Sequence, residues 1–482
     1  MNVKEYNQDQ GLLFPPHLRQ LLSDDHPAVI VNDVVETLDL SCLYQKISPE
    51  GNPAYHPKMM LKILIYAYSN GIFSARDIHR ALHESIAFIY LSAWQKPDFR
   101  TISDFRKNNL ERFSEIFDQT VDICRRLGMV SLGHLSIDGS KFKANASDRR
   151  TYDQKRVDSA IEQLVKQAEQ IDAQEDQLLG PDNADDQIPA QIRRQKDRLK
   201  KLQQIQKQLH DSGKEKINAT DPDAVFMKTG SGVKTCYNAQ IAVDEQHQVI
   251  VAARVTDQPG DTELLLPMVA QAEKAIGPID KLSADSGYSS GENLQQLAAK
   301  GIDAYIPDSN YQGNRRGKQD APGEPFFSKS CFQRDELNDC FICPAGKTLS
   351  FSHFVKTKGQ KHSRMYRCRD FKTCALKSRC TKARKGRSLI INAYDDQFRA
   401  MRSKLDSPYG KRLYAKRQSI VEPVFGHIKE AIGFGKFLLR GLEKVDGEFA
   451  IVCIVHNLRK IINALRPKGP LCKPQGATGT IY

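Results

Sequence analysis

Two aspartates follow short apolar runs and precede small polar residues, Asp138 in SIDGS and Asp285 in SADSG. Such runs predict strands, and a rigid strand often presents a catalytic group to the loop beyond it. An Asp-Gly pair is also a common hairpin turn, and taken alone Asp138 is better explained that way. The recurrence of the pattern at Asp285 makes both acids candidates for one site at neighbouring strand ends.

A third acid, Glu422, stands among apolar residues in YAKRQSIVEPVFGHIK. On a helix, Glu422 and Lys429 fall on one face, and a surface pair of this kind contributes little stability. An unpaired carboxylate in apolar surroundings is costly unless a cation or a metal accompanies it. Pro423 disfavours a helical backbone at Glu422, so the sequence predicts that a helix starts or kinks here.

Three carboxylates that converge in one site can hold two divalent cations about 3.5–4 Å apart, the spacing for in-line phosphoryl transfer. Hard oxygen ligands of this type suit Mg²⁺. Asp138, Asp285 and Glu422 are therefore candidate metal ligands. Lys141 and Lys143, beside Asp138, are candidate phosphate contacts or ordinary surface lysines.

A cysteine segment offers a second metal chemistry. Cys340 and Cys343 form a CxxC pair, and Cys374 and Cys380 follow as a second pair with five residues between them. Four thiolates at such spacing suit a structural Zn²⁺ in a segment with little apolar material to fold on. Cys368 is the alternate fourth ligand, and metal-free buried thiols remain the alternative to zinc.

The charge of the chain indicates a polyanionic partner. Its 482 residues include 71 Lys and Arg against 58 Asp and Glu, and between residues 341 and 420 the counts are 21 against 4. Such a local surplus is typical of nucleic-acid binding. The first residues lack a secretory signature and no run approaches the length needed to cross a bilayer, so we expect a cytoplasmic protein without membrane contact.

The amino-terminal region, residues 1–130, is predicted to be helical. An apolar stripe begins near His56, Gly71 stops it, and Ser74 can cap a second helix whose outer face carries Arg76 and Arg80. Two helices joined by a short turn, with a basic outer face, suit helix-turn-helix DNA binding. A plain helical bundle explains the pattern equally well.

The middle of the chain predicts an α/β core interrupted by insertions. Strand and helix patterns in residues 131–147 and 217–310 favour an α/β sheet. Between them, residues 148–216 carry two heptad arms separated by Gly180 to Asn183, which predict an antiparallel helical hairpin in preference to pairing between two chains. Residues 311–388 form the basic cysteine insertion, residues 389–465 return to the core, and residues 466–482 are a tail.

The sequence resembles the DDE-type transposases of bacterial insertion sequences, most closely the insertion sequence 1182 group. The resemblance covers nearly the whole chain. It rests on the order and number of these fragments: HPKMMLKILIYAYSNGIFSARDI, PDFRTISDFR, IDGSKFKANAS, TDPDAVFMKTGSGVKTCYNAQIAVD, ADSGYSSGENL, the cysteine segment, IVEPVFGHIK, LLRGLEKV and HNLRK.

This resemblance implies an RNase H-like catalytic core with an amino-terminal helical DNA-binding region. Asp138, Asp285 and Glu422 then take the places of the family's acidic triad, with Mg²⁺ or Mn²⁺ as cofactor. Tyr414, Arg417 and Lys429 resemble the Tyr, Arg and Lys that hold the transposon end. One departure from the family pattern is that four residues, rather than the usual three, separate Arg417 from Glu422. Arg440, in LLRGLEKV, is a further candidate DNA contact, as are Lys141, Arg76 and Arg80.

The implied function is cleavage of phosphodiester bonds at the element's inverted repeats, followed by attack of the freed 3′-hydroxyl on target DNA. The partners would be double-stranded DNA and further copies of the chain. Two alternatives stay open: a catalytically inactive DNA-binding protein derived from a transposase, and an RNase H-like nuclease without strand transfer.

Overall fold

The computed structural model describes residues 17–45, 53–131, 133–179, 190–308, 311, 327, 329–355 and 363–465. The predicted tail at residues 466–482 and the predicted loop from Gly180 to Asn183 lie outside the described residues. The architecture is mixed α/β with an amino-terminal helical region, as predicted. None of the described helices is long and apolar enough to span a bilayer.

The amino-terminal region is built from helices whose apolar faces join one core. The most deeply buried is α3, which begins at Pro57 with an imino nitrogen that needs no hydrogen-bond partner at this position. These helices are α1 (Pro27–Glu36), α2 (Ser41–Tyr44), α3 (Pro57–Ser69), α4 (Ala75–Glu84), α5 (Ile86–Ser92), α6 (Phe99–Asn108) and α7 (Leu110–Arg126).

A six-stranded mixed sheet lies next to this region. Its order is β4-β5-β1-β7-β8, with β6 also paired to β5. The strands are β1 (His134–Lys143), β4 (Val225–Thr229), β5 (Gly232–Asp244), β6 (Ile250–Thr256), β7 (Lys281–Ala284) and β8 (Asp303–Tyr305), and a small pair, β2 (Thr151–Tyr152) with β3 (Ile217–Asn218), lies apart. This sheet is consistent with an RNase H-like core.

One expectation about β1 is wrong. The sequence pattern suggested that the strand stops at Asp138 and turns at Gly139, but β1 continues to Lys143. The strand continues beyond Gly139 because β5 pairs with β1 from Leu135, opposite Asp244, to Lys143, opposite Cys236. The Asp-Gly pair therefore lies within a strand, where local turn preference is overridden by sheet pairing.

Two helices between β2 and β3 pack against each other within the chain. They are α8 (Gln154–Leu179) and α9 (Ala190–Ser212). Val157 and Leu164, early in α8, share a buried cluster with Leu202 and Leu209, late in α9. This contact makes the two helices antiparallel, the arrangement that the heptad spacing favours.

The cysteine segment forms a separate five-stranded antiparallel sheet in the order β13-β12-β11-β10-β9. Its apolar cluster is small and centres on Phe341, Leu349 and Tyr366. The elements are β9 (Gln333–Asp335), β10 (Cys340–Ile342), β11 (Thr348–Val355), β12 (Ser363–Cys368), the short helix α12 (Lys377–Cys380) and β13 (Ser388–Ile391).

The remaining helices cover the mixed sheet. They are α10 (Leu265–Ile276), α11 (Gly291–Ala299), α13 (Asp395–Asp406), α14 (Pro408–Gly426) and α15 (Leu442–Leu465), with a π-helical turn over His427–Ala431 between the last two. The buried α15 packs against α3 and α7 on one side and β6 on the other. It therefore joins the helical region and the sheet into one core.

A buried charge lies in the middle of this junction. Glu448 of α15 is fully buried. It accepts hydrogen bonds from the Tyr68 hydroxyl at 3.3 Å and from the backbone N–H groups of Leu438 and Leu439 at 3.0 Å each. Arg106 donates to the same Tyr68 hydroxyl at 2.9 Å. Burial raises the pKa of Glu448, and the hydrogen bonds and the Arg106 charge oppose that rise.

We predict that Glu448→Ala lowers the free energy of unfolding by about 3 to 5 kcal/mol, because the Tyr68 hydroxyl and two backbone donors would remain buried without their acceptor and the buried Arg106 would lose a nearby negative charge. Urea denaturation of the full chain measures this loss. Glu443→Ala, on the exposed face of the same helix, is the matched control and should change stability by less than about 0.5 kcal/mol. Equal effects of the two substitutions would contradict the assignment.

Candidate active site

Parallel pairing of β1 with β7 brings two of the candidate acids together. The pairing ends with Ile137 opposite Ala284, so the next residue on each strand is an aspartate, Asp138 and Asp285. Asp285 also begins a 3₁₀ turn, and its carboxylate accepts the Gly287 N–H at 2.8 Å. The two carboxylates therefore lie at one edge of the sheet, on adjacent strands.

Glu422 reaches this region from α14. The helix start expected at Glu422 is wrong, because α14 begins at Pro408 and runs through Pro423. Proline at this position cannot donate to the Ser419 carbonyl, which instead accepts the Gln248 side-chain amide at 2.8 Å. The Glu422 side chain is 52% exposed, so its carboxylate is not buried among the apolar neighbours that surround it in the sequence.

Arg417, five residues before Glu422 on the same helix, lies between the acids. Its Nη1 is 3.3 Å from Asp138 Oδ2 and its Nη2 is 3.7 Å from Glu422 Oε1. Only about a tenth of the side chain is exposed, and neither its Nε nor its Nη1 makes a hydrogen bond within the described residues. The guanidinium carbon lies 5.9 Å from the centre of the Tyr414 ring. A cation thus spans two of the three candidate acids.

The electrostatics of Asp138 reflect this crowding. Burial raises the pKa of Asp138 to about 6, the Arg417 charge opposes the rise, and the charges of Asp285 and Glu422 add to it. A carboxylate that is desolvated and close to like charges holds its proton more tightly than one in water. Such a group binds a cation readily once its proton is released, and perturbed acids of this kind are common at functional sites.

Two lysines contact residues on or beside β1. Lys429, from the π-helical turn, donates to the Ser140 hydroxyl at 2.6 Å, and its ammonium lies 4.9 Å from the centre of the Phe142 ring. Burial lowers the pKa of Lys429. Lys141 instead lies 3.4 Å from Asp261 Oδ1. Both ammonium groups therefore contact residues on or beside the strand that carries Asp138.

Asp261 is an acid that the sequence analysis missed. It follows β6 and precedes α10, just as Asp285 follows β7 and precedes α11, and this shared arrangement was the available signal. Burial raises the pKa of Tyr288 well above its usual value, and the charges of Asp261, Asp138 and Asp285 raise it further. Three aspartates therefore surround one buried tyrosine.

The other candidate DNA contacts lie elsewhere. Arg440 donates through Nε to the Asn145 carbonyl at 2.9 Å, just beyond the end of β1. Arg76 and Arg80 lie on α4 in the amino-terminal region, where Arg76 is 5.2 Å from the centre of the Phe99 ring and Arg80 is 3.5 Å from Asp77. Arg440 therefore contacts the segment after β1, and the two α4 arginines contact residues of the helical region.

Four cysteines line one small enclosed space in the five-stranded sheet. They are Cys343, Cys368, Cys374 and Cys380. Cys340, which belongs to the first CxxC pair, lies outside this lining, in β10 opposite Asp335 and Ser350. The space measures about 20 Å³, enough for one water-sized sphere. In the described part of the chain, however, no group of three or more His, Cys, Asp or Glu side chains stands close enough to hold a metal ion.

The helix that carries Glu422 is anchored by a pair of histidines. Nδ1 of His427 and Nδ1 of His456 are 2.9 Å apart, and Nε2 of His456 contacts the Gln248 carbonyl at 2.9 Å. Burial lowers the pKa of His427 to about 4 and that of His456 to about 3, and in both cases the positive charges of Arg459 and Lys460 add to the effect. Both rings are therefore neutral in the folded protein at neutral pH.

Two family models match separate segments of the chain. A model described as "Transposase DDE domain" matches residues 342–462, and one described as "Transposase domain (DUF772)" matches residues 16–108. No curated protein matches the chain. The first segment contains Glu422, Tyr414, Arg417, Lys429 and Arg440. Asp138 and Asp285 lie outside both segments and are connected to Glu422 by the geometry of the sheet and α14. The chain is thus similar to transposases in one amino-terminal and one carboxy-terminal segment of its sequence.

We predict that stability falls as pH decreases from 7 to 5. The unfolded histidines take up protons near their usual pKa of 6.5, whereas the folded ones stay neutral until about pH 4 or below, so the stability is present above pH 6.5 and is lost as pH falls below it. His427→Asn should reduce this loss by about 1 to 2 kcal/mol.

Urea denaturation at pH 7 and pH 5 measures the difference. His210→Gln, at an exposed histidine of α9, is the matched control and should keep the wild-type pH dependence. An unchanged pH dependence in the His427→Asn variant would contradict the prediction.

Proposed function

We propose that the chain is a DNA transposase in which Asp138, Asp285 and Glu422 form the metal-dependent catalytic site. It would cleave phosphodiester bonds at the ends of its insertion sequence and transfer the 3′-hydroxyl ends to target DNA, with several copies of the chain acting on paired ends. The observation that carries this proposal is the β1–β7 register, which makes Asp138 and Asp285 neighbours. The DDE-domain match, which includes Glu422, supports it.

The donor chemistry of the site suits Mg²⁺ or Mn²⁺, and the three acidic side chains would have to move closer together, because no such group stands at metal-binding separations in the described residues. The donors are carboxylate oxygens, which hard divalent cations prefer. The Arg417 guanidinium between Asp138 and Glu422 marks a position where positive charge is favourable. Burial is the main cause of the raised pKa of Asp138, and the negative charges of Asp285 and Glu422 add to it. Bound divalent cations would supply activation of an attacking hydroxyl and stabilisation of the leaving oxygen.

The basic side chains near the acids have the chemistry to hold a DNA strand. Arg417 presents a planar guanidinium that suits bidentate binding of a phosphate. Lys429 and Lys141 present ammonium groups on either side of the same strand, and Arg440 lies beyond its end. Together these cations would neutralise backbone phosphates and orient the scissile bond towards the carboxylates, which is the protein's main contribution to phosphoryl transfer.

We predict that Asp138→Asn, Asp285→Asn and Glu422→Gln each lower Mg²⁺-dependent cleavage of a duplex bearing the element's end by about a thousandfold or more, since residues that act as a unit fail together. Binding of the same duplex should persist. Gel assays with a duplex taken from the DNA that flanks the gene measure the cleavage rate and the binding of each variant.

Glu443→Gln, at the exposed acid on α15, is the control and should cleave at the wild-type rate. Wild-type activity in any one of the three variants would remove that residue from the triad. Cleavage without joining of a labelled end to a target plasmid would identify a nuclease rather than a transposase, and binding without cleavage would identify an inactive relative.

A structural Zn²⁺ in the cysteine segment is a separate part of the proposal. Its support is the shared lining of one enclosed space by Cys343, Cys368, Cys374 and Cys380. The Cys343 sulfur also accepts the Lys347 N–H at 3.3 Å. Small shifts of the side chains would still be required, because the thiols do not stand at metal-binding separations in the described residues. This ligand set replaces Cys340 of the initial hypothesis with Cys368.

We predict one zinc per chain in wild-type protein purified without chelator, and a loss of most of it in Cys368→Ser, because three thiolates bind zinc less tightly than four. Metal analysis by mass spectrometry measures the content. Cys340→Ser is the matched control and should retain zinc. Loss of zinc in Cys340→Ser with retention in Cys368→Ser would contradict the ligand set, and zinc-free wild-type protein would contradict the site.

A further inference from the structure

Asp261 connects the strand that carries Asp138 to the turn that carries Asp285. Its Oδ1 accepts the side-chain amides of Asn238 at 2.7 Å and of Gln240 at 2.9 Å, both from β5, and lies 3.4 Å from the Lys141 ammonium of β1. About a fifth of the Asp261 side chain is exposed. Asp261 Oδ1 therefore contacts two neutral donors from β5 and one cation from β1.

The opposite side of Asp261 faces the Asp285 turn. A Cβ atom at residue 287 would stand 3.2 Å from Asp261 Oδ2 and 3.0 Å from Asp285 Oδ1, so Gly287 leaves room for both carboxylates. The next residue, Thr262, donates its hydroxyl to the Gly287 carbonyl at 2.9 Å. The segment that holds Asp261 therefore also fixes the backbone that Asp285 bonds.

A second glycine makes the β5 contacts possible. A Cβ atom at residue 139 would collide with Nε2 of Gln240, so the side chain of Gln240 can cross β1 only because Gly139 has no side chain. On the other side, the Gln240 carbonyl oxygen accepts the hydroxyl of Tyr288. The network thus runs from Asp261 through Gln240 to the residue that follows the Asp285 turn.

We infer that Asp261 is a positioning residue of the proposed catalytic site: its negative charge holds Lys141 and, with the Thr262 contact, fixes the Asp285 turn in the geometry that binds divalent cations. This inference rests on the proposed function. A supporting residue of this kind is distinguished from a merely structural one by its effect on metal affinity, which typically changes 10- to 100-fold when such partners are lost.

Binding of Mn²⁺ to the full chain, followed by the electron paramagnetic resonance signal of the free ion, tests this role without relying on activity. Asp261→Asn keeps the size and an acceptor oxygen but removes the charge, and we expect it to weaken Mn²⁺ binding by about tenfold or more. Asp261→Glu keeps the charge and should bind within about threefold of the wild type if its longer side chain is accommodated.

The matched control is Asp257→Asn. Asp257 lies four residues earlier and pairs with Lys214 at 3.2 Å, so the substitution breaks a similar ion pair away from the carboxylates. It should leave Mn²⁺ affinity unchanged. Melting temperatures of all variants show whether each is folded.

Equal Mn²⁺ affinity of Asp261→Asn and the wild type would overturn the role of Asp261 alone. So would an Asp261→Glu variant that is folded yet binds as weakly as Asp261→Asn, because charge would then not be the cause. If Asp261→Asn does not fold, the Asp261→Glu result decides. Failure of the wild-type chain to bind Mn²⁺ would overturn the proposed metal site and this inference together.

Discussion

Repulsion between carboxylates is the constraint on which the candidate site depends. The parallel pairing of β1 with β7 makes Asp138 and Asp285 neighbours, and burial removes much of the water that would screen them. Arg417 offsets that repulsion. It follows Asp138 by nearly three hundred residues in the sequence and reaches the acids because α14 packs against the sheet. The order of the sheet, the path of α14 and the raised pKa of Asp138 are therefore parts of one arrangement, in which positive charge is required beside the acids.

The helical region and the six-stranded sheet share a core rather than standing as separate units. α15 contacts both, and its buried Glu448 bonds Tyr68 of α3 as well as the backbone at Leu438 and Leu439. The next residue is Arg440, a candidate DNA contact. A buried hydrogen-bonded network of this kind fixes the relative positions of the elements that it joins. The helical region therefore has a fixed position relative to the sheet that carries Asp138.

Periodicity in the sequence predicted the kinds of elements well, and the places where it failed have physical causes. The strand-aspartate pattern at Asp138 and Asp285 anticipated their parallel, adjacent strands, because apolar runs and helix signals alternate clearly in this region. The turn expected after Asp138 is absent, since β5 continues to pair with β1 and a local Asp-Gly preference cannot outweigh that pairing. The helix start expected at Glu422 is also absent: α14 continues through Pro423, and Gln248 bonds the Ser419 carbonyl that proline leaves unbonded. In both cases the contact that decides the outcome, from β5 or from Gln248, comes from a residue far away in the sequence. The contacts of Asp261 also come from distant strands, although its place between a strand and a helix, like that of Asp285, was visible in the sequence. The sequence offered Cys368 only as an alternate ligand, because spacing does not show which cysteines line one space.

The central claim is that Asp138, Asp285 and Glu422 surround one divalent metal site. Fe²⁺ is bound to the full chain in place of Mg²⁺, and hydrogen peroxide is added with ascorbate. The bound Fe²⁺ reduces the peroxide to hydroxyl radical and hydroxide, ascorbate returns Fe³⁺ to Fe²⁺, and the radicals cut the backbone within a few ångströms. Mass spectrometry of the fragments locates the cuts. The account predicts cuts clustered near residues 138, 285 and 422, suppressed by excess Mg²⁺. Fragments that map elsewhere, or cuts near these residues that excess Mg²⁺ leaves unchanged, would contradict it.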